Sequence, residues 1–361
     1  MVYKLNKALY GLRQAPRAWN HKLNQILKEL NFVRCAKEPA LYRRQDKEQL
    51  LIVAVYVDDL LVTGSSLSLV QEFKQGMSSK FEMSDLGRLT YYLGIEVLQE
   101  DSGITLKQSR YAEKILEETG MSDCNAVQVP MDSGSKLSKA IDDQSIDESE
   151  YRRNIGCLRY LIHTRPDLSF AVGILSRYMH NPKRSHGVAL KHVLRYLQGT
   201  SGYGLTFKKG SSSGLVGYCD SSLNIDEDDG KSTSGHIFYL NNCPITWCSQ
   251  KQETVALSSC EELKRVTVRI DNKSAIALTK NPVFHGRSKH IHRKFHFVRE
   301  CVENELVEVE YVPGIEQKAD ILTKALGRIK FKEQRSFIGV QDLSEQDGLK
   351  LTGDNVSVSL K

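Results

Sequence analysis

The sequence predicts an α+β protein, in which a mixed helix and hairpin domain precedes a second, α/β domain. Three observations carry this prediction. Helical apolar spacing alternates with strand-like segments through about the first 120 residues, a turn-rich acidic segment then interrupts the pattern, and short strands followed by helices take over from residue 205. A chain of 361 residues is long enough for two domains, each with its own core.

The first domain is predicted at residues 1–121 as helix, hairpin, helix, hairpin, helix. The amphipathic helices are predicted at residues 17–31, 67–81 and 109–120. Residues 41–63 are rich in apolar β-branched side chains and read as two strands with an acidic pair at their turn. Residues 89–108 read as strand, D-S-G turn and strand, so two hairpins separate the three helices.

The later part of the chain divides by composition. Residues 122–150 hold the acidic run IDDQSIDESE and little periodicity, which indicates a linker. A helical segment is predicted at 151–204, and strands and helices of the second domain at 205–326, with a final helix over ADILTKAL. The polar tail at 327–361 is expected to be loosely ordered.

Charge and cysteine content narrow the class of protein. Eight cysteines without C-x-x-C pairs indicate reduced thiols and predict a cytoplasmic or nuclear location. The absence of an apolar run of 18 residues predicts no membrane association, and no signal peptide is expected at Met1. Residues 151–200 hold nine Lys and Arg against the single acid Asp167, and similar basic blocks occur at 1–45 and 264–299. Segregated basic blocks with interleaved aromatic residues predict a nucleic-acid partner.

The segment VAVYVDDLLVTG raises the first question about chemistry. Asp58 and Asp59 stand between two apolar β-branched runs, although acids are depleted from strands and unpaired buried charge is costly. The pair is either a polar hairpin tip or two hard oxygen ligands for a divalent cation. A two-metal centre would need a further carboxylate from elsewhere in the chain.

Eight motifs, in order, resemble one known family. They are KALYGLRQAPRAW, YVDDLLVTG, YYLGIEV, YRRNIGCLRYLIHTRPDLSFAV, HVLRYLQGT, KSTSG, DNKSAIALTKNPVFHGRSKHI and VEYVPGIEQKADILTKAL. Together they are similar to the Pol polyprotein of copia-type LTR retrotransposons, and specifically to its reverse transcriptase followed by its ribonuclease H. The resemblance implies a partial reverse-transcriptase palm at 1–121, a helical thumb or connection at 151–204, and an incomplete ribonuclease H-like α/β domain at 205–326.

The resemblance implies roles for residues of the polymerase segment. Asp58 and Asp59 would hold Mg²⁺ ions that activate the primer hydroxyl and the triphosphate. Tyr10 and Gly11 would contact the template base pair, and Arg13 would lie near phosphate. The third polymerase carboxylate of the family lies upstream of the YGLRQAP segment, and no matching D-x-x-x-A-F stretch stands before Tyr10. The expectation is an N-terminally truncated chain whose polymerase site lacks one carboxylate.

The ribonuclease H segment supplies a second set of acids. The resemblance assigns Asp220, Asp271 and Asp320 as catalytic and Mg²⁺-binding carboxylates, since such enzymes cut RNA in a hybrid with two metal ions. The family's second acid is a Glu on a helix after VALSS, for which this chain offers only Glu261 and Glu262.

The resemblance, in which RVTVRID returns parallel to the first strand of this domain, implies an internal deletion after about residue 262. A parallel return strand needs a crossover of roughly a dozen residues or more, and only four residues separate Cys260 from Arg265. We expect that either RVTVRID pairs differently from the family or VALSS unravels to serve as the connection. In both cases neither glutamate is expected to reach the three aspartates.

Five basic residues are the first candidates for contacting nucleic acid. They are Arg152, Arg153, Arg159, Lys191 and Arg195. The segment HIHRKFH has two histidines at helical i, i+4 spacing, but no cysteine lies at finger spacing, so a basic surface is favoured over zinc. Cys243 and Cys248 lack a partner pair and are expected in the strand meander.

Three functions remain open from the sequence. The first is a truncated polymerase and nuclease fragment that binds an RNA/DNA template-primer or an RNA–DNA hybrid with lost catalysis. The second is a non-catalytic structural or interaction remnant. The third is a residual ribonuclease H that uses Glu261 or Glu262 with Mg²⁺. Neither the oligomeric state nor activity as an enzyme follows from the sequence.

Overall fold

The computed structural model describes residues 8–9, 11–210, 214–222, 226–252, 266–273, 276, 302, 307–344 and 356–360. The chain folds into two compact units. The first comprises Met1–Tyr92, Gln99–Asp101 and Leu351–Lys361, and the second comprises Leu93–Leu98 and Ser102–Lys350. No helix within the described ranges combines the length and apolar character needed to cross a membrane.

Helices and strands alternate through the first part of the chain. In order they are α1 (Ala15–Glu29), β1 (Val33–Arg34), β2 (Leu41–Asp46), β3 (Gln49–Tyr56), β4 (Asp59–Gly64), α2 (Leu67–Ser78), β5 (Met83–Arg88), β6 (Tyr91–Tyr92), β7 (Ile95–Glu100), β8 (Gly103–Lys107) and α3 (Ser109–Glu118). The three predicted helices are present, each ending two or three residues before its predicted end. The prediction of two strands over 41–63 was wrong. Three strands are present, because Lys47 adopts a φ of 53° and closes a tight turn between β2 and β3.

The remaining elements follow the linker. They are α4 (Glu148–Leu161), a 3₁₀ turn (Pro166–Leu168), α5 (Ser169–Ser176), α6 (Arg184–Gln198), β9 (Tyr203–Lys208), β10 (Leu215–Ser221), β11 (Thr233–Leu240), β12 (Cys243–Lys251), β13 (Val266–Ile270), β14 (Val307–Tyr311), a 3₁₀ turn (Asp320–Leu322), α7 (Arg328–Phe337), β15 (Val340–Asp342) and β16 (Val356–Leu360). The segment VALSS lies outside the described residues.

The first unit is built on one sheet, in the strand order β1-β2-β3-β4-β16-β5. Helices α1 and α2 supply apolar side chains to the same core as the sheet. Leu27, Val53, Val62 and Phe73 are buried there, which explains the alternation of buried and half-buried positions along β4. The strand β16 lies between β4 and β5 and is antiparallel to both.

The second unit contains a sheet in the order β12-β11-β10-β13-β14. Strands β10, β11 and β12 form an antiparallel meander, whereas β13 pairs parallel to β10 and β14 pairs parallel to β13. Of the two expected alternatives, different pairing of RVTVRID is excluded, since Val216 stands opposite Thr267 in the parallel register; the other, unravelling of VALSS, falls on residues outside the described ranges. Because β10 and β13 are parallel, their carboxyl ends lie at the same edge of the sheet.

The units divide at residues 92–102 rather than at the linker predicted at 122–150. The reason is long-range pairing, because β8 pairs antiparallel with β9 in the register Thr105↔Thr206. The linker itself contains no described helix or strand before α4, which begins at Glu148.

The C-terminal segment also differs from prediction. Residues 327–361 were expected to be loosely ordered, but α7 buries Phe331 and β15 pairs with β9. The final helix expected over 319–326 is only the 3₁₀ turn Asp320–Leu322, and the longer helix begins later, at Arg328. The physical reason for the difference is that one buried aromatic on a short, polar helix gives little periodic signal.

Candidate functional site

The acidic pair of the first unit lies at the tip of a two-residue hairpin. Tyr56 pairs with Asp59 as the last rung of β3 and β4, so Val57 and Asp58 form the turn. Asp58 is exposed and Asp59 is half-buried. Val57 has a φ of 56°, a region that β-branched side chains rarely adopt. Such strain persists only where surrounding contacts hold it.

Trp19 of α1 supplies such a contact. Its indole Nε1 donates a hydrogen bond of 2.7 Å to the carbonyl of Val57, and its ring packs edge-on against Phe81 with centroids 5.1 Å apart. Tyr92 lies near Asp59. Burial raises the pKa of Tyr92, and the negative charge of Asp59 raises it further. The strained turn and its tryptophan anchor were not predicted from the sequence.

Three acids of the second unit meet at one point. Asp220, Asp271 and Asp320 each place a carboxylate oxygen within 4.8 Å of the others. Asp220 is near the end of β10, and Asp271 directly follows β13, so the parallel pairing of these strands brings the two carboxylates together. Asp320 comes from the 3₁₀ turn and its side chain is only 2% exposed.

Two further residues hold this turn in place, and each lies within a quoted motif that gave it no role. The first is Gln317, which is fully buried; its Nε2 donates to the carbonyl of Cys219 over 3.1 Å, and its Oε1 accepts from the backbone of Ala319 over 3.2 Å. It therefore ties the residue before Asp220 to the residue before Asp320. A single glutamine offers no sequence signal of such a role.

Gly235 is the second, and it makes the close approach possible from the other side. It pairs with Asp220 across β10 and β11. A Cβ at this position would lie 2.7 Å from both Leu322 Cβ and Thr323 Cγ2. Only glycine lets the 3₁₀ turn pack this closely on the strand.

Cationic side chains surround the three carboxylates. Lys324 Nζ lies 2.8 Å from Asp320 Oδ1 and 3.5 Å from Asp220 Oδ2, and Lys330 Nζ lies 2.8 Å from Asp320 Oδ2. Thr323 donates its hydroxyl hydrogen to Asp220. Burial opposes the charge of Lys324, but its hydrogen bond to Asp320 and the nearby Asp220 raise its pKa above the ordinary value.

The donor set fits a hard divalent cation. Three carboxylates that converge from three segments offer oxygen ligands, which Mg²⁺ and Mn²⁺ prefer. Among the residues that the structure describes, no comparable group of His, Cys, Asp or Glu surrounds Asp58 and Asp59.

The other predicted site residues fall into three groups. Tyr10, Glu261 and Glu262 lie outside the described residues, as does the whole HIHRKFH segment. Gly11 has a φ of 87°, and both Gly11 and Arg13 are exposed. Cys243 and Cys248 are both on β12.

The five candidate nucleic-acid contacts differ in how they are held. Arg152 is ion-paired with Glu148 and donates to the carbonyl of Met179, and Arg195 donates its Nε to the carbonyl of Asn125 over 2.7 Å. The other three, Arg153, Arg159 and Lys191, are exposed.

Known proteins resemble this chain over most of its length. The family described as reverse transcriptase (RNA-dependent DNA polymerase) matches residues 1–133. The chain is 39% identical over 365 aligned residues to the retrovirus-related Pol polyprotein from transposon RE1 of Arabidopsis thaliana, which covers 94% of this chain and 25% of that protein. This chain thus spans about a quarter of the length of that relative.

A shorter relative is covered almost completely. The chain is 34% identical over 268 residues to a transposon Ty5-1 protein of Saccharomyces cerevisiae, covering 74% of this chain and 87% of that protein. Among solved structures, a foamy viral protease-reverse transcriptase in complex with dsDNA aligns with a TM-score of 0.46 and 12% identity, covering 85% of this chain and 60% of that one. By the sequence relatives, this chain belongs to the family of copia-type retrotransposon Pol polyproteins, and its first 133 residues match that family's reverse transcriptase.

Proposed function

We propose that this chain is a nucleic-acid-binding reverse transcriptase and ribonuclease H fragment, which binds a divalent metal ion in its second unit and does not extend primers. The observation that carries the proposal is the convergence of Asp220, Asp271 and Asp320 within 4.8 Å. The proposed ligand is an RNA–DNA hybrid or an RNA/DNA template-primer, and the proposed ion is Mg²⁺.

The sheet of the second unit supports the ribonuclease H-like assignment. Three antiparallel strands followed by two parallel strands, in the order β12-β11-β10-β13-β14, agree with the fold that the motifs imply. The acids stand at the carboxyl ends of β10 and β13, where ligands bind in sheets with parallel strands. A metal ion bound there would polarise a phosphate and lower the pKa of a bound water.

The hairpin of the first unit supports the reverse-transcriptase part of the proposal, without primer extension. Asp58 and Asp59 match two polymerase carboxylates, and Tyr10, Gly11 and Arg13 match the segment that contacts template and nucleotide. No third acid lies within ligand-sharing distance of the pair among the described residues. With two carboxylates, the charge of two metal ions is poorly neutralised, so we expect no primer extension by this chain alone.

Nucleic-acid binding is proposed through exposed cations on the helices of the second unit. Arg153 and Arg159 belong to α4 and Lys191 to α6, and all three are exposed. Contacts of this kind are to phosphates, so binding should be indifferent to sequence and sensitive to salt.

A residual ribonuclease H is the second candidate. The same convergence of three aspartates favours it, and Glu261 or Glu262 would be the fourth acid. The alternative of a structural remnant without a ligand predicts neither metal nor hybrid binding.

One set of measurements separates these functions. Titration calorimetry with Mn²⁺ should detect binding to the full chain, and Asp220→Asn, which keeps the side-chain shape, should weaken it at least tenfold. A fluorescein-labelled RNA–DNA hybrid should bind with an affinity that falls steeply as salt rises. Mg²⁺-dependent cleavage of that hybrid, abolished by Asp220→Asn, would replace the binding proposal with the nuclease. Primer extension by the chain, if abolished by Asp58→Asn, would refute the proposal that this chain does not extend primers.

A further inference from the structure

Lys324 contacts the same three-carboxylate cluster that is proposed to bind a metal ion. Its ammonium contacts two of the three acids, at 2.8 Å from Asp320 Oδ1 and 3.5 Å from Asp220 Oδ2. Three ionised carboxylates within 4.8 Å carry like charges in a largely buried place, which is unfavourable without cations. Lys324 and Lys330 therefore supply positive charge that the cluster needs to form.

The same contacts set up a conflict with a divalent ion. Asp220 and Asp320 would hold a Mg²⁺ or Mn²⁺ ion through carboxylate oxygens, and Lys324 already contacts the carboxylates of both residues. An ammonium and a metal ion cannot both approach the same carboxylate oxygens without strong repulsion. The lysine has to give up these contacts when the metal ion binds.

A cavity lies beside Lys324 and is to be tested as a place for its displaced ammonium. This cavity has a volume of about 240 Å³, and its wall includes the acids Asp226 and Glu227. Asp226 is held by Arg177 over 2.8 Å and by Lys251 over 2.7 Å, whereas Glu227 has a half-exposed carboxylate paired with Lys136. A four-carbon stem is flexible enough to carry the ammonium from the cluster toward these acids.

We propose that Lys324 is a built-in competitor of the metal ion, which neutralises Asp220 and Asp320 until a divalent ion displaces its ammonium toward the cavity lined by Asp226 and Glu227. This inference rests on the proposed metal site and specifies what regulates its affinity. The proposal predicts that removal of Lys324 tightens metal binding, although Lys324 contacts the residues that would hold the metal ion. A lysine that only supported the local fold would weaken metal binding when removed.

The test is calorimetric titration of the full chain with Mn²⁺ alone. Lys324→Met keeps the apolar stem and removes the charge, and we expect the Kd for Mn²⁺ to fall about tenfold, which corresponds to about 1.4 kcal/mol. Lys324→Arg keeps the charge and should bind Mn²⁺ no more tightly than the wild type. Lys332→Met removes an exposed lysine from the same helix as Lys330 and serves as the matched control, with an unchanged Kd.

Thermal unfolding gives a second readout that does not depend on activity. Without metal, Lys324→Met should have a lower Tm than the wild type, since the acids then lack one neutralising cation. Added Mn²⁺ should raise the Tm of this variant by more than it raises that of the wild type. Should Lys324→Met not fold, Lys330→Met tests the same idea with a smaller expected gain, because Lys330 contacts only Asp320.

The outcomes separate this inference from the proposed function. Equal or weaker Mn²⁺ binding by Lys324→Met, with binding still weakened at least tenfold in Asp220→Asn, overturns the competitor role and leaves the metal site standing. Absence of any Mn²⁺ binding that depends on Asp220, even in Lys324→Met, overturns both. Tighter Mn²⁺ binding by Lys324→Met, but not by Lys324→Arg or Lys332→Met, supports the inference.

Discussion

The buried ion pair between Arg165 and Asp167 gives the sharpest test of how the second unit is stabilised. Asp167 accepts from Arg165 Nε over 2.9 Å and from its Nη2 over 2.8 Å, and Tyr196 donates its hydroxyl hydrogen to the same carboxylate over 2.6 Å. Arg165 also donates to the carbonyl and hydroxyl oxygens of Thr200. The charged groups are 1% and 0% exposed, so water replaces none of these contacts.

Asp167→Asn is the informative change, because it keeps the side-chain shape and removes the charge. Arg165 would then be a buried cation without a counterion, and the new amide group would direct donors toward other donors. Breaking a buried pair by removing one partner costs about 3 to 5 kcal/mol. That is a large fraction of a total stability that is typically about 5 to 15 kcal/mol.

Tryptophan fluorescence can follow the unit concerned. The chain has two tryptophans, of which Trp247 belongs to the second unit and donates to the carbonyl of Ile162 over 3.0 Å. In a Trp19→Phe background, urea unfolding followed at Trp247 reports the stability of the second unit. The double variant Arg165→Met with Asp167→Asn should recover part of the loss, because the unpaired charge is then gone.

A cost below about 1 kcal/mol for Asp167→Asn would refute this reasoning. It would mean that the pair contributes no more than an exposed salt bridge. The pH dependence provides a check with a definite sign. Burial favours the neutral acid, yet the Arg165 guanidinium holds the pKa of Asp167 below its ordinary value, so the stability from this pair is present above about pH 4 and is lost as pH falls through the lower, folded-state pKa.

Three further predictions follow from other features of the structure. Gly235→Ala should destabilise the second unit by about 1 to 3 kcal/mol and weaken Mn²⁺ binding, because the added methyl group displaces the turn that carries an acid of the cluster; unfolding and calorimetry measure both effects. The pKa of Asp229 is lowered to about 2, chiefly by a hydrogen bond from Lys251, so Lys251→Met should return it toward its ordinary value in a carboxyl NMR titration, and an unchanged pKa would contradict this. For nucleic-acid binding, Arg153→Gln combined with Lys191→Gln should make log K fall less steeply with log salt, by roughly 0.9 for each duplex phosphate that the protein no longer neutralises, and a slope equal to that of the wild type would rule out a role for these residues in phosphate binding.

The local part of the fold was predictable from the sequence. Helical spacing identified α1, α2 and α3, and apolar β-branched runs identified the strands on both sides of Asp58 and Asp59. The three aspartates of the second unit lie close together, as the motifs implied: Asp220 is near the end of β10, Asp271 follows β13, and Asp320 begins the 3₁₀ turn.

Features that depend on partners far along the chain were not predictable. Arg165 was counted with a basic surface block, but it is fully buried against Asp167 and Tyr196, and composition alone does not distinguish these situations. The division near residue 100 depends on pairing between β8 and β9, which local periodicity does not encode. Gln317 has its role only through its hydrogen bond to Cys219, nearly a hundred positions away.

The strand β16 has a consequence for the order in which the protein can fold on the ribosome. Residues 356–360 lie between β4 and β5, so the sheet that carries Asp59 contains a strand translated long after the others. Until that segment emerges, the backbone amides and carbonyls at the facing edges of β4 and β5 have no ladder partner within the described sheet. The second unit, whose strands and helices lie between residues 95 and 342, can meanwhile be synthesised and begin to fold. The sheet of the first unit would thus be completed after the second unit has been synthesised, and a nascent chain arrested before residue 356 would expose those edges to chaperones and to other nascent chains.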